Sequence, residues 1–138
     1  MSATEAPPNW PDEPLAAILV QTARQAAPGR TAAIVTIRVA QILGADDVLA
    51  LHDPALRTAV CEWNTHPDIS DAERAVLAVT EQFVIDVHGL DDDTFTALQQ
   101  HYSTTDTMAI MVHLAVSDGF TKRQIMFPTL TFDTQGGQ

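Results

Sequence analysis

The chain has 138 residues, with 7 basic against 18 acidic side chains and a formal net charge of −11. That length suffices for one domain with a real core, and a hydrophobic fraction of 46% is too high for a disordered acidic tail. The charge argues against a nucleic-acid binder, because phosphate contacts need a cationic surface, and against docking on anionic lipid.

Residues 1–14 hold Pro7, Pro8, Pro11 and Pro14. Proline lacks the amide donor and fixes its own φ, so an irregular arm is expected, with Trp10 packing back on the body. A helix is expected over residues 15–26, with Leu15, Ile18, Leu19 and Thr22 at helical spacing. Pro28 and Gly29 break it. A second helix, Thr31 to Leu43, carries Ile34, Ile37, Val39 and Ile42 around most of its circumference, the pattern of a buried element. Gly44 reads as a helix end or hinge. Residues 46–61 read as helical with an interruption, because Pro54 disfavours helical geometry at Asp53, and residues 62–69 read as a loop.

Ser70 and Glu73 have the spacing of a capping box. Ala72, Val76, Val79, Phe83 and Val87 come after them at intervals of three and four, and Gly89 is the expected stop. Asp91, Asp92 and Asp93 suit the positive end of another short helix, which runs to about His101 with Phe95 and Leu98 inward. Thr104 or Thr105 is the expected cap of a long last helix ending near Phe127, with Pro128 as its stop. Met108, Met111, Leu114 and Ala115 read as one stripe of it, with Ile110, His113 and Ser117 beside them. No strand-like alternation or repeat appears. The expected fold is an all-α bundle of about five or six helices over residues 15–128, with a loose tail over 129–138.

Cys61 is the one cysteine, so no intrachain disulfide can form. Residues 1–13 carry neither a basic nor an apolar run, so no signal peptide is expected there. No apolar stretch approaches the roughly 20 residues that span a bilayer. A cytoplasmic protein without membrane or nucleic-acid partners is the expectation.

The stretch RTAAIVTIRVAQILGADDVLAL from Arg30, with His52 after it, is similar to the central helices of the carboxymuconolactone decarboxylase family, which includes the alkylhydroperoxidase D-like proteins. The order of the later segments is similar too: Ile69-Ser70-Asp71-Ala72-Glu73-Arg74, an Asp-initiated short helix, and an apolar helix reaching Asp118-Gly119-Phe120. The family's redox branch carries a Glu, a Cys-x-x-Cys and a His. Laid on this chain, those positions are Ala33, Ala45, Val48 and His52, so the histidine alone remains. Thiol-pair peroxide reduction needs an attacking thiolate and a resolving thiol, which alanine and valine cannot supply. The resemblance to the decarboxylase branch implies a cofactor-free enzyme moving protons on a small acidic ring compound by decarboxylation, isomerisation or cyclisation. It also implies a homo-oligomer.

His52 reads as the proton-transfer residue, since an imidazole gains and loses a proton near neutrality, or as a histidine bonded at a helix kink. One of the flanking Asp46, Asp47 and Asp53 reads as the group that orients it, with Asp53 counted among the catalytic candidates. Asp46 and Asp47 read as helix caps, with Asp47 also a candidate substrate contact. His113 reads as a second catalytic group facing His52 across a pocket, or as a satisfied core histidine. Arg38 reads as a clamp for a substrate carboxylate or as half of an ion pair. His66, His88 and His101 lack the spacing of a close metal-ligand pair, so no metal or cofactor is expected. Two alternatives remain open: a redox-inactive binding or assembly subunit, and a peroxidase using Cys61.

Overall fold

In the computed structural model the described residues are 25–127, with Ile18, Gln21 and Thr22 before them. Those three, with Gln25 and Ala26, have helical backbone within the helix expected over residues 15–26. The expected arm of residues 1–14, Pro128 and the expected tail lie outside the described residues. Six α-helices come next: α1 (Thr31–Leu43), α2 (Asp46–Leu49), α3 (Pro54–Cys61), α4 (Asp71–Ile85), α5 (Asp92–His101) and α6 (Thr104–Met126), with a 3-10 turn at Val87–Gly89 between α4 and α5. No strand occurs among the described residues, and the fold is the expected all-α bundle.

Helix α1 lies at its centre. Ile34, Val35, Ile37, Val39 and Ala40 have no exposed surface. A helix apolar on most sides needs cover on most sides, and α1 packs on α4 and α6 while touching α2 and α3. Each large aliphatic buried in this way contributes about 1.5–3 kcal/mol. Gly44 ends α1 in the left-handed region, φ 72° and ψ 31°. The turn it makes brings the Ala45 amide to the Ala40 carbonyl at 2.9 Å. A side chain on Gly44 would touch nothing within 4 Å, so the backbone angle, not crowding, asks for glycine here.

The interruption expected at Pro54 separates α2 from α3. Pro54 takes the first turn of α3, where its missing amide costs nothing, and the Asp53 carboxylate accepts from the Leu56 amide at 3.1 Å. The capping box of α4 is complete. The Ser70 hydroxyl accepts from the Glu73 amide at 3.1 Å and the Ser70 amide donates to Glu73 Oε1 at 3.0 Å. Arg30 completes the joint: its Nη2 donates to Glu73 Oε1 at 2.9 Å, its Nε to Glu73 Oε2, and Nη2 also reaches the Asp68 carbonyl. The start of α1 is thereby tied to the start of α4.

Three expectations are corrected at helix ends and faces. Helix α4 stops at Ile85, four residues before Gly89, because Asp86 adopts extended geometry and accepts from the His88 amide. Val87 therefore leaves the helix and is exposed. The cap of α6 is Ser103, whose hydroxyl accepts from the Asp106 amide at 3.1 Å, rather than Thr104 or Thr105. The stripe of Met108, Met111, Leu114 and Ala115 is split. Leu114 is buried, Met111 half-buried, and Met108 and Ala115 face outward, whereas Thr107, Ile110, His113, Leu114 and Ser117 form the inner face.

The Arg30 hydrogen bond, followed by that of the Ser70 amide, holds the Glu73 carboxyl below its ordinary range against the opposing effect of burial. A carboxyl depressed in the folded state stabilises the protein above its unfolded pKa, and that contribution disappears as pH falls through the folded value. Glu73→Gln keeps a side chain able to cap but removes the charge. The substitution is expected to lower the melting temperature at pH 7, with the deficit shrinking below about pH 4. A deficit that is the same at pH 7 and in strong acid would contradict this.

Candidate functional site

The turn at Gly44 opens a cleft. Its volume is about 300 Å³, and it lies between the α1–α2 corner and the last turns of α6. Gly44, Ala45, Asp46, Asp47 and Val48 line one side, and Thr121, Gln124 and Ile125 the other. Asp46 and Asp47 stand in the first turn of α2 and do not cap it; the N-cap is Ala45, with no side-chain bond. Both carboxylates are exposed. The cleft thus offers acceptors from one wall and amide and hydroxyl groups from the other, around the apolar surface of Ala45, Val48 and Ile125. Carboxylates at its rim favour neutral or cationic molecules over anions.

His52 lies in the bend between α2 and α3, half-buried, its backbone amide donating to the Leu49 carbonyl at 3.1 Å. It comes four residues after Val48 but is not in the cleft lining. Asp53, next to it, holds the N-terminus of α3, so its structural duty is the corner that carries His52.

His113 sits in the core at 1% exposure. Its Nε2 lies 3.0 Å from the Ala32 carbonyl, 3.1 Å from Thr36 Oγ1 and 3.3 Å from Ser117 Oγ. A carbonyl only accepts, so Nε2 carries the proton and donates it there. The imidazole links α6 to α1 and matches the core-histidine reading rather than a group facing a pocket.

Arg38 is engaged as well. Its Nη2 lies 3.3 Å from Glu81 Oε1 and its Nη1 donates to Gln41 Oε1 at 3.1 Å. Gln41 passes the connection to the Arg57 carbonyl at 2.9 Å, and the Trp63 indole donates to Glu81 Oε2 at 2.9 Å. This network joins α1, α3, the loop after α3, and α4. The Arg38 side chain is 17% exposed, which makes it an internal tie instead of an open clamp.

The structure therefore brings Asp47 to a cleft, sets His52 and Asp53 at the neighbouring corner, and leaves Arg38 and His113 in the framework. Glu81 was not legible as the partner of Arg38, nor Trp63 as the partner of Glu81, because the members of each pair are far apart in sequence. Thr121 and Gln124 were missed too, although two polar residues three apart near the end of an apolar helix are a readable signal. Cys61 is a free, exposed thiol at the end of α3. No group of three or more His, Cys, Asp or Glu placed to hold a metal occurs among the described residues.

No protein-family model and no curated protein matches the chain.

Glu81→Ala removes the acceptor of both Arg38 and Trp63. Loss of one partner from a partly buried pair costs more than loss of the pair. Urea unfolding is expected to show a loss of about 2–4 kcal/mol for Glu81→Ala, with part of it recovered in the Arg38→Met, Glu81→Ala double variant. A single-variant loss below about 0.5 kcal/mol would place the pair among inconsequential surface contacts.

Proposed function

We infer that this protein handles a small polar organic molecule in the α1–α2/α6 cleft by proton transfer, without thiol chemistry, in the manner of the carboxymuconolactone decarboxylase-like proteins it resembles. One observation carries the reading. Ala45 and Val48, the positions that match the thiols of the redox branch, both line the cleft. A site of that ancestry with its sulfurs replaced keeps the space and loses the electron chemistry.

His52 is the proton-transfer residue in this reading. It comes one turn after Val48, is half-buried, and sits on a corner whose geometry Asp53 and Pro54 hold. Asp47 selects the molecule, accepting hydrogen bonds and disfavouring anions. That preference departs from the acidic ring compound implied by the resemblance and points to neutral rings such as lactones. Arg38, engaged with Glu81, takes no part in substrate capture.

A second reading, a binding or assembly subunit with no chemistry, is favoured by the lack of an imidazole in the cleft lining. Deuterium exchange separates the two. Unsaturated lactones and enol acids incubated with the protein in D2O exchange a carbon-bound proton if a base acts on them, and proton NMR tracks the loss. The wild type is expected to accelerate exchange, His52→Ala to slow it about 100-fold or more, and Cys61→Ser to leave it unchanged. Asp47→Asn is expected to raise exchange of the anionic compounds relative to the neutral ones. Equal rates for wild type and His52→Ala would remove His52 from the chemistry, and no exchange with any compound would favour the binding subunit.

A further inference from the structure

The two walls of the cleft at the Gly44 turn differ in hydrogen-bonding character. Its polar side chains are Asp46 and Asp47 on one wall and Thr121 and Gln124 on the other. Ionised carboxylates only accept, whereas the Gln124 amide carries two N–H donors and the Thr121 hydroxyl one O–H. Among the described residues no Lys, Arg or His lines the cleft, so its side-chain donors all belong to α6. Thr121 and Gln124 are three residues apart, neighbours on one face of that helix.

Both side chains are half-buried, and the fold does not engage either of them. The same residue types elsewhere are engaged. Thr58 and Thr80 donate their hydroxyls to the carbonyl one turn earlier, at 3.1 and 2.8 Å. Gln41, also half-buried, accepts from Arg38 Nη1 at 3.1 Å and donates to the Arg57 carbonyl at 2.9 Å. Thr121 and Gln124 have no such partner among the described residues. They stand instead beside the apolar surface of Ala45, Val48 and Ile125. A few placed polar groups on an otherwise apolar lining are what fix the orientation of a small ligand.

We propose that Thr121 and Gln124 are the specificity pair of the cleft, holding the carbonyl oxygen of a neutral cyclic compound whose far edge faces Asp46 and Asp47. The assignment rests on the lactone reading above for the carbonyl, and on nothing that His52 does. A carbonyl oxygen turned toward Asp47 sets acceptor against acceptor. Turned toward α6 it meets the donors of both side chains, so one orientation remains. A carboxylate in the same place gains those donors but lies opposite Asp46 and Asp47 with no cation in the lining to offset them. The uncharged carbonyl is therefore taken over the acid. On the far edge of the ring the carboxylates accept from an O–H. The ligand class is a lactone, or another cyclic carbonyl compound, with a hydroxyl on the side of the ring away from the carbonyl.

The probes are coumarin, a neutral lactone, and chromene, the same fused ring with a methylene in place of the carbonyl. Binding of each to the full chain is followed by backbone amide shifts in NMR, which also monitor folding. The wild type is expected to bind coumarin about tenfold more tightly than chromene. Gln124→Glu keeps the shape and replaces the amide donors with an acceptor. The Thr121→Val, Gln124→Met double variant removes the donors without adding charge. Each is expected to abolish the preference for coumarin and to leave the affinity for chromene unchanged, a split that general damage to the cleft does not produce. Equal affinity of the wild type for the two probes, binding of neither, or a preference that survives these substitutions overturns the proposal. The deuterium-exchange assay separates this assignment from proton transfer. Exchange that needs His52 but runs at the wild-type rate in the double variant overturns the assignment alone. A carbonyl preference that Gln124→Glu abolishes, in a protein that exchanges no proton, supports the assignment and removes the proton-transfer reading.

Discussion

Burial of α1 sets the terms for every other element. A helix apolar on nearly all sides is unstable in water, and a chain of this size has few other elements to cover it. Helices α4 and α6 flank it, with α2 and α3 folded back along it. The polar contacts of α1 are ties to those covering elements. Arg30 holds the start of α4 through Glu73, Arg38 holds its middle through Glu81, Gln41 holds α3, and Thr36 and the Ala32 carbonyl meet His113 of α6. Each tie satisfies a polar group that burial would otherwise strand. The same residue types that suggest chemistry in sequence, an arginine and a histidine among apolar neighbours, serve here to position helices.

The candidate site stands at the corner where α1 stops. Gly44 turns the backbone, α2 is too short to fill the space, and α6 runs past it. A cleft results with carboxylates on one wall and Thr121 and Gln124 on the other. No thiol stands in its lining, where Ala45 and Val48 lie, and the titratable groups that line it are Asp46 and Asp47. A site so equipped works, in the reading proposed above, on protons and on uncharged molecules.

The features legible in the sequence and those hidden from it divide along physical lines. Local rules were legible: the capping box at Ser70 and Glu73, the break at Pro54, the turn at Gly44 and the Asp91 start of α5 each depend on a few adjacent residues, and each stands where expected. Helix faces were less so. On α6, Met108 and Leu114 are equally apolar, and only the direction from which α1 and α4 approach decides that Leu114 is buried and Met108 is not. Partners across the fold were hidden altogether. Nothing near Arg38 names Glu81 as its acceptor, and nothing near His113 names Ala32. The candidate site was half legible: Asp47, His52 and Asp53 lie on one continuous segment, whereas the facing wall comes from the far end of the chain.

The most direct measurement is a titration of the isotope-labelled protein with a neutral unsaturated lactone, monitored by backbone amide shifts in NMR. Saturable shifts confined to residues 44–52 and 121–125 are the result predicted by a ligand seated in the cleft. Shifts centred on Cys61, or a spectrum that does not change at millimolar ligand, would contradict it.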